Sequence, residues 1–321
     1  MPVVTNRKES TALFEKASER NVSIAIFCTA SHWNTEAILI AAQRIAEKYG
    51  VNGVPVVVAN TFTYKHMPQA KRFLYCNDPV SGFLSHIGHL NALVDSKYGP
   101  YRNVIALPHL DHADPIFDRW ALTVGSQYFS SVMFDAQRFQ YEENREMTRD
   151  YVKAYGKDVL VEGIMETLNV EGGAVASRLD NYCEAAQDYT RDTGIDFLVA
   201  DLGTEQQTSQ AGGAKYNRER ALQLTQALER KMLVLHGTSS LTDDQVKSLA
   251  SDGVVRVNMW TRIAREAGQY AAHNLMERMV AVDKGDFNSA EANQYLRDNV
   301  EKAADIMEEM MELFGYSNWC E

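Results

Sequence analysis

The sequence predicts a (β/α)8 TIM barrel with a C-terminal helical extension, on three observations. Eight apolar runs of strand length alternate with amphipathic stretches of helix length. Chemistry-bearing polar residues gather at the C-terminal ends of those runs, where such barrels carry their sites. The loop after the first run, FCTASHWNTE, lacks the glycine-rich phosphate pattern that an open doubly wound sheet of equal strand count would show there. A barrel of about 250 residues plus an extension fits the length. No Pro- or Ser-rich linker divides the chain. Residues 1–321 therefore read as one domain, with the barrel over about 20–285 and the extension over about 286–316.

The elements follow in order. Residues 23–29 (SIAIFCT) read as the first strand, with Asn34 as cap of a helix over 35–49 that stops at Gly50. The second strand is 54–60 (VPVVVAN), followed by a long, aromatic and basic loop, TFTYKHMPQAKR, and a helix over 78–97. The third run, Val104, Ile105, Ala106 and Leu107, is continuous and suits a strand buried on both faces; a helix over 115–124 follows. Strand four, 128–135, ends on Asp135, and a charged helix covers 142–155. Strand five is 159–166, with a helix near 176–193. Strand six is 195–202, with a polar loop and a helix over 217–229. Strand seven, 232–235, ends at His236 and Gly237. Thr242 and Gln245 form a capping-box pattern for the next short helix. Strand eight is 254–258, and a long helix spans 261–282. In the extension, Ala303, Ile306, Met307, Met310, Met311 and Phe314 repeat at helical spacing, a packing stripe with Gly315 as its stop.

Composition narrows the function classes. A net charge of −11 argues against nucleic acid or an anionic membrane as partner. No segment approaches the roughly 18 apolar residues of a membrane span, and MPVVTNRKES lacks the apolar run of a signal peptide. The four cysteines, Cys28, Cys76, Cys183 and Cys320, are scattered without a C-x-x-C pair. A reducing cytoplasm is the expected setting.

The chemistry starts where the third strand ends, at His109, Asp111, His112 and Asp114. An Asp beside a His supplies a proton-transfer group next to a metal ligand. At the other predicted strand ends stand Asn34, Asp135, Glu162, Glu166, Gln206, His236 and Asn258. In a closed barrel all share one rim, where His112 and His236 converge from strands three and seven. Two histidines and one oxygen ligand would make an open metal site.

The ordered segments HLDH, SVMFD, ENREMT, VEG, TGIDFLVADLGT, LVLHGTSS and VRVNMWT resemble the class II, metal-dependent fructose-bisphosphate and tagatose-bisphosphate aldolases over nearly the whole chain. The resemblance implies a divalent metal, zinc in the first place, and a catalytic acid/base at Asp111. It implies metal ligands at His112 and His236, with the third ligand at the position of Gln206. Asn34, Gly237, Ser239, Asn258 and Thr261 would hold substrate phosphate and hydroxyls. Asp135 and Glu162 would orient the site from behind. A small sugar or sugar phosphate as partner and a homodimer or homotetramer are also implied.

Departures from the family pattern cluster in the same place. The usual third zinc-binding histidine is Gln206, whose neutral amide is a poor zinc ligand, and the glycine after it is Gln207. The family's acidic loop reads Gly172, Gly173, Ala174, Val175, Ala176 and has lost its acid. Trp260 and Ile164 stand where the family has carboxylates. Glu166, Glu171 and Glu205 are candidates to replace the lost acid, and Lys215, Lys65, His66 and Lys71 are candidates to bind an anion. The expected activity is that of a carbon–carbon lyase acting on a ketose or ketose phosphate through an enediolate. The alternatives are a metal-dependent isomerase or other lyase working through an enolate, and a non-catalytic sugar-phosphate-binding homologue.

Overall fold

The computed structural model describes residues 3–95, 97–166, 181–204, 216–238, 241–286, 288 and 292–320, with backbone alone at 292 and 293. Eight parallel strands close on themselves in chain order, and β1 pairs with β8. They are β1 (Ile24–Cys28), β2 (Val54–Asn60), β3 (Val104–Ala113), β4 (Ser131–Phe134), β5 (Leu160–Ile164), β6 (Phe197–Val199), β7 (Leu233–Leu235) and β8 (Val254–Met259). The predicted TIM barrel is the observed fold. Every strand residue is buried except Ile105, half-buried on β3. Helices cover the outside of the sheet while side chains fill the inside, so these strands read as unbroken apolar runs.

Two terminal helices pack against the barrel from outside its eight strand–helix units. The first, α1 (Arg7–Glu19), precedes β1 and is not anticipated from the sequence. Its buried face is only Ser10, Phe14 and Ala17. Its only large apolar residues, half-buried Leu13 and buried Phe14, are adjacent and leave little periodic signal. Phe14 nevertheless meets Phe197 edge-on, ring centroids 4.9 Å apart, and Arg7 binds Asp196 across the barrel foot. The other is C-terminal and packs on the outer helices. Helix α10 (Ala292–Leu313) buries the predicted stripe. It also pairs with α2 (His32–Tyr49) through Arg44–Asp305 at 2.7 Å and Lys48–Glu312 at 2.7 Å. Gly315 then turns the chain at φ +88°, where a Cβ would lie 2.9 Å from the Asn21 carbonyl oxygen. After that turn, α11 (Tyr316–Trp319) anchors beneath β1 and β2: Tyr316 donates to the Pro55 carbonyl at 2.8 Å and Trp319 to that of Gly53 at 3.0 Å.

Most intervening helices lie where periodicity puts them: α3 (Pro79–Val94), α5 (Tyr141–Tyr155), α6 (Tyr182–Thr193), α7 (Arg218–Ala227), α8 (Asp243–Ser248) and α9 (Thr261–Asp283). The capping box of Thr242 and Gln245 is formed. Three details differ. Ser31, not Asn34, caps α2, and Asn34 sits in the first turn with its backbone amide donating to the Ser31 hydroxyl at 3.1 Å. β3 does not stop at Leu107 but runs through Ala113. The expected helix over 115–124 shrinks to α4 (Arg119–Leu122) and a 3-10 turn.

Candidate active site

Alternation along the strands sends Arg256 and Asn258 of β8, His109 and Asp111 of β3, and Glu162 of β5 into the barrel. They form a polar column rather than an apolar plug. At its base Arg256 and Glu162, both with side chains 0% exposed, pair at 2.9 Å. The guanidinium also donates to the Ser131 hydroxyl at 3.1 Å and lies against the rings of both Phe14 and Phe197, at 5.1 and 4.7 Å. His109 shares that Ser131 hydroxyl through Nδ1 at 2.9 Å. Burial and the nearby Arg256 hold its imidazole far below the usual histidine range, so it is neutral and structural.

One level higher, strand alternation has to be broken. Asp111 faces inward, so its neighbour His112 should face outward. The β3–β4 pairing prevents this. Leu110 pairs with Val132 and Ala113 with Phe134, so β3 carries one residue more than β4 across this interval. That is a β-bulge, and His112 sits in it at φ +47°. A left-handed residue other than glycine costs on the order of 1–3 kcal/mol and is tolerated where surrounding structure over-determines it. Here the bulge turns two consecutive side chains, Asp111 and His112, toward one point.

At that point the ligand atoms of Asp111, His112 and His236 lie within 4.8 Å of one another, all three residues buried. The His112 and His236 rings meet edge-on with centroids 5.0 Å apart. Nδ1 of His112 is 2.8 Å from Asp135 Oδ2, which leaves Nε2 as the ring's lone-pair donor. Burial works against a charge on His112, but Asp111 and the Asp135 hydrogen bond outweigh it and raise its pKa to about 9. Burial likewise opposes a charge on Asp111, while His112, His236 and His109 hold its carboxyl below the usual range. Asn258 Nδ2 donates to Asp111 Oδ2 at 3.1 Å. The other oxygen, Oδ1, is buried with no hydrogen-bond partner among the described residues. A buried, unpaired carboxylate oxygen beside two imidazoles matches the donor set of a divalent cation. The residues therefore fit a metal, with His112 and His236 as its nitrogen donors.

Among the described residues, the rim around this cluster comes from three loops. The turn after β7 supplies Gly237, at φ +78°, and Thr238, whose hydroxyl donates to the Asn258 carbonyl at 3.3 Å. Trp260 and Thr261 follow β8, with Thr261 opening the 23-residue helix α9. Thr61, Tyr64, Met67 and Gln69 follow β2. Tyr64 stacks on His112 with centroids 4.3 Å apart and planes 8° from parallel. Its burial, with Asp135 and Asp111 close by, pushes the phenol pKa up and keeps it neutral. Cys28, at the end of β1, reaches Asn258 Oδ1 at 3.2 Å and Asp111 Oδ2 at 3.6 Å.

A family model described as class-II fructose-bisphosphate aldolase matches residues 8–319. The chain belongs to the class-II fructose-bisphosphate aldolase family. It is 27% identical over 218 residues to a fructose-bisphosphate aldolase of Streptococcus pneumoniae, covering 64% of this chain and 70% of that one. It is 31% identical over 191 residues to a 6-phospho-5-dehydro-2-deoxy-D-gluconate aldolase of Shouchella clausii, covering 57% and 61%. Its fold matches the crystal structure of a fructose-bisphosphate aldolase from Campylobacter jejuni with a TM-score of 0.74 at 19% identity, over 97% of this chain and 95% of that one.

In this class-II aldolase chain the residues singled out in the sequence divide three ways. Asp111, His112, His236, Gly237, Asn258 and Thr261 border one pocket, with Asp135 directly behind His112. Glu162 lies on the floor, 3.7 Å from His236. Asn34 does not line the pocket: its side chain accepts from the Ser31 hydroxyl at 3.0 Å in the first turn of α2. Lys65 and His66 are exposed to solvent. Gln206 and Ser239, with Glu171, residues 172–176, Glu205, Gln207 and Lys215, lie outside the described residues. The structure adds Cys28, Tyr64, Gln69, Thr238 and Arg256, which sequence reasoning missed. Only Tyr64 had a signal, since it sits in the aromatic loop whose neighbouring basic residues drew notice instead.

Proposed function

We propose that this chain is a metal-dependent aldolase that cleaves or forms a ketose or ketose phosphate through an enediolate. The observation that carries the reading is the convergence of Asp111, His112 and His236 within 4.8 Å at the C-terminal rim of a barrel of this family. His112 and His236 would hold the cation, and imidazole donors favour zinc. When bound, it supplies a Lewis acid that polarises the substrate ketone.

The protein's own residues do the rest. Asp111 takes the proton of the hydroxyl whose carbon departs as an aldehyde, and returns it in the condensation direction. Asn258 holds one Asp111 oxygen at 3.1 Å and leaves the other without a hydrogen-bond partner among the described residues. Asp135 fixes the His112 ring and its tautomer. The turn at Gly237 and Thr238, with the start of α9 at Thr261, offers backbone amides and a helix N-terminus to a phosphate. Gln206 and Ser239 complete the reading, as third ligand position and phosphate contact. A sugar phosphate is supported by the two aldolase relatives, whose names are those of enzymes of phosphorylated sugars. A cytoplasmic homodimer or homotetramer goes with the family resemblance; among the described residues no helix is long and apolar enough to cross a membrane.

The test is metal analysis of the purified protein followed by a ketose-phosphate screen with aldehyde detection. Metal-dependent aldehyde release is expected. Ketose–aldose interconversion without cleavage would favour the isomerase, and saturable sugar-phosphate binding with no turnover would favour the binding homologue.

A further inference from the structure

Aldol cleavage moves two protons. Asp111 takes the first from the hydroxyl, and the carbon–carbon bond breaks. Its electron pair stays on the ketone-side carbon as an enediolate while the aldehyde departs. That carbon then needs a proton from a second group. We infer that the phenol of Tyr64 delivers this proton, an inference that rests on the aldolase reading above.

Three observations support it. Tyr64 lies flat on the ring of His112, 4.3 Å between centroids and 8° between planes, so its place is fixed relative to the metal-binding imidazole. The loop carrying it is pinned. The Thr61 amide donates to Gln69 Oε1 at 3.1 Å, the Gln69 amide to the Thr61 hydroxyl at 3.0 Å, and the Thr63 hydroxyl to buried Asp118 at 2.7 Å. Asp118 in turn accepts the Asp114 amide at 3.0 Å, which ties the loop to the segment that follows β3. Among the described residues, two hydroxyls that line the pocket are engaged with backbone carbonyls. The Thr61 and Thr238 hydroxyls donate to the carbonyls of Met67 and Asn258. The Cys28 thiol faces Asn258 and Asp111 itself, on the side of the first proton transfer. A phenol is also a far stronger acid than an alcohol or an amide. After the transfer the tyrosinate recovers its proton, through water, from the Asp111 carboxyl, so the cycle closes without net gain or loss.

Tyr64→Phe keeps the ring stack and removes only the hydroxyl. Metal-loaded protein with dihydroxyacetone phosphate in deuterium oxide reads carbon protonation directly, by loss of a hydroxymethyl proton signal. Wild type should exchange this hydrogen, and the variant should do so about 10²-fold more slowly or worse at unchanged metal content. With a cleavable ketose phosphate, the variant should release a burst of about one aldehyde per site, then stall, because scission precedes the step in which Tyr64 acts. Exchange within a few-fold of wild type overturns the inference. So does equal slowing of burst and exchange, which would make Tyr64 a support for His112, and so does lost exchange in Glu171→Gln with Tyr64→Phe normal. If wild type exchanges neither dihydroxyacetone nor its phosphate and cleaves no ketose phosphate, the aldolase reading itself fails.

Discussion

At the scale of single residues, the site depends on one backbone exception. His112 at φ +47° lets two adjacent side chains serve one centre, and each then has a separable task. Asp111→Asn keeps the shape and the Asn258 contact but removes the base. Turnover should fall about 10²–10⁴-fold with metal content and thermal midpoint close to wild type. Near-normal cleavage by that variant would sink the assignment of Asp111. The third ligand position is the second test. Two imidazoles make a weak site, and tight zinc binding normally takes three or four protein ligands. Gln206→His should therefore tighten zinc binding in competition with a chelator. Wild-type protein that already keeps stoichiometric zinc through dialysis against that chelator would show that Gln206 leaves no deficit to repair.

At the scale of elements, α1 is the unexpected part. It presses Phe14 against Phe197 and the buried Arg256 guanidinium, so one helix turn supports the floor of the polar column. Removing that ring leaves a cavity beside a buried ion pair. Phe14→Ala should cost about 3–5 kcal/mol in urea denaturation, although the residue is far from the pocket mouth in sequence. A loss below about 1 kcal/mol would mean that α1 merely lies on the barrel. The elements legible beforehand were those with a strong period. These were the eight strands, α10 with its methionine stripe, and the capped helices α3 and α8. Those missed were α1, with one large apolar residue on its buried face, and the end of β3. There HLDHA reads as polar loop because its inward groups, His109 and Asp111, are polar rather than apolar.

At the scale of the whole molecule, buried histidines give the fold a characteristic acid response. His86 of α3 is fully buried against Phe73, and burial, with His32 and His89 nearby, lowers its pKa to about 3. An unfolded-chain histidine titrates near about 6.5. Between those values the unfolded state binds a proton that the native state refuses, so His86 makes stability fall as pH drops from about 6.5 toward 3. His109, held low by burial, acts in the same direction. His112, raised to about 9, acts oppositely: its contribution is complete below about 6.5 and fades as pH rises through 9. His86→Phe should flatten the acid limb of a stability–pH curve while leaving values above about pH 7 nearly unchanged. Thr35, the His86 partner, keeps its bond to Thr29 at 3.0 Å. An acid limb as steep as that of wild type would remove His86 from the account.

The amino-acid sequence by itself determined the barrel, because burial on both faces of a parallel strand requires unbroken apolar runs, and eight of them alternate with helical periods. It also determined which residue types meet at the rim, since strand ends of one parallel barrel share one edge. Tertiary structure decided what adjacency in sequence cannot express. The bulge that brings Asp111 and His112 to one point arises from the register between β3 and β4, not from either strand alone. The stack of Tyr64 on His112 joins a loop after one strand to the end of the next. The buried pair of Arg256 and Glu162 spans β8 and β5 across the barrel. A charge in an apolar run carries no sign of its partner until closure of the sheet excludes water and makes pairing the only stable arrangement.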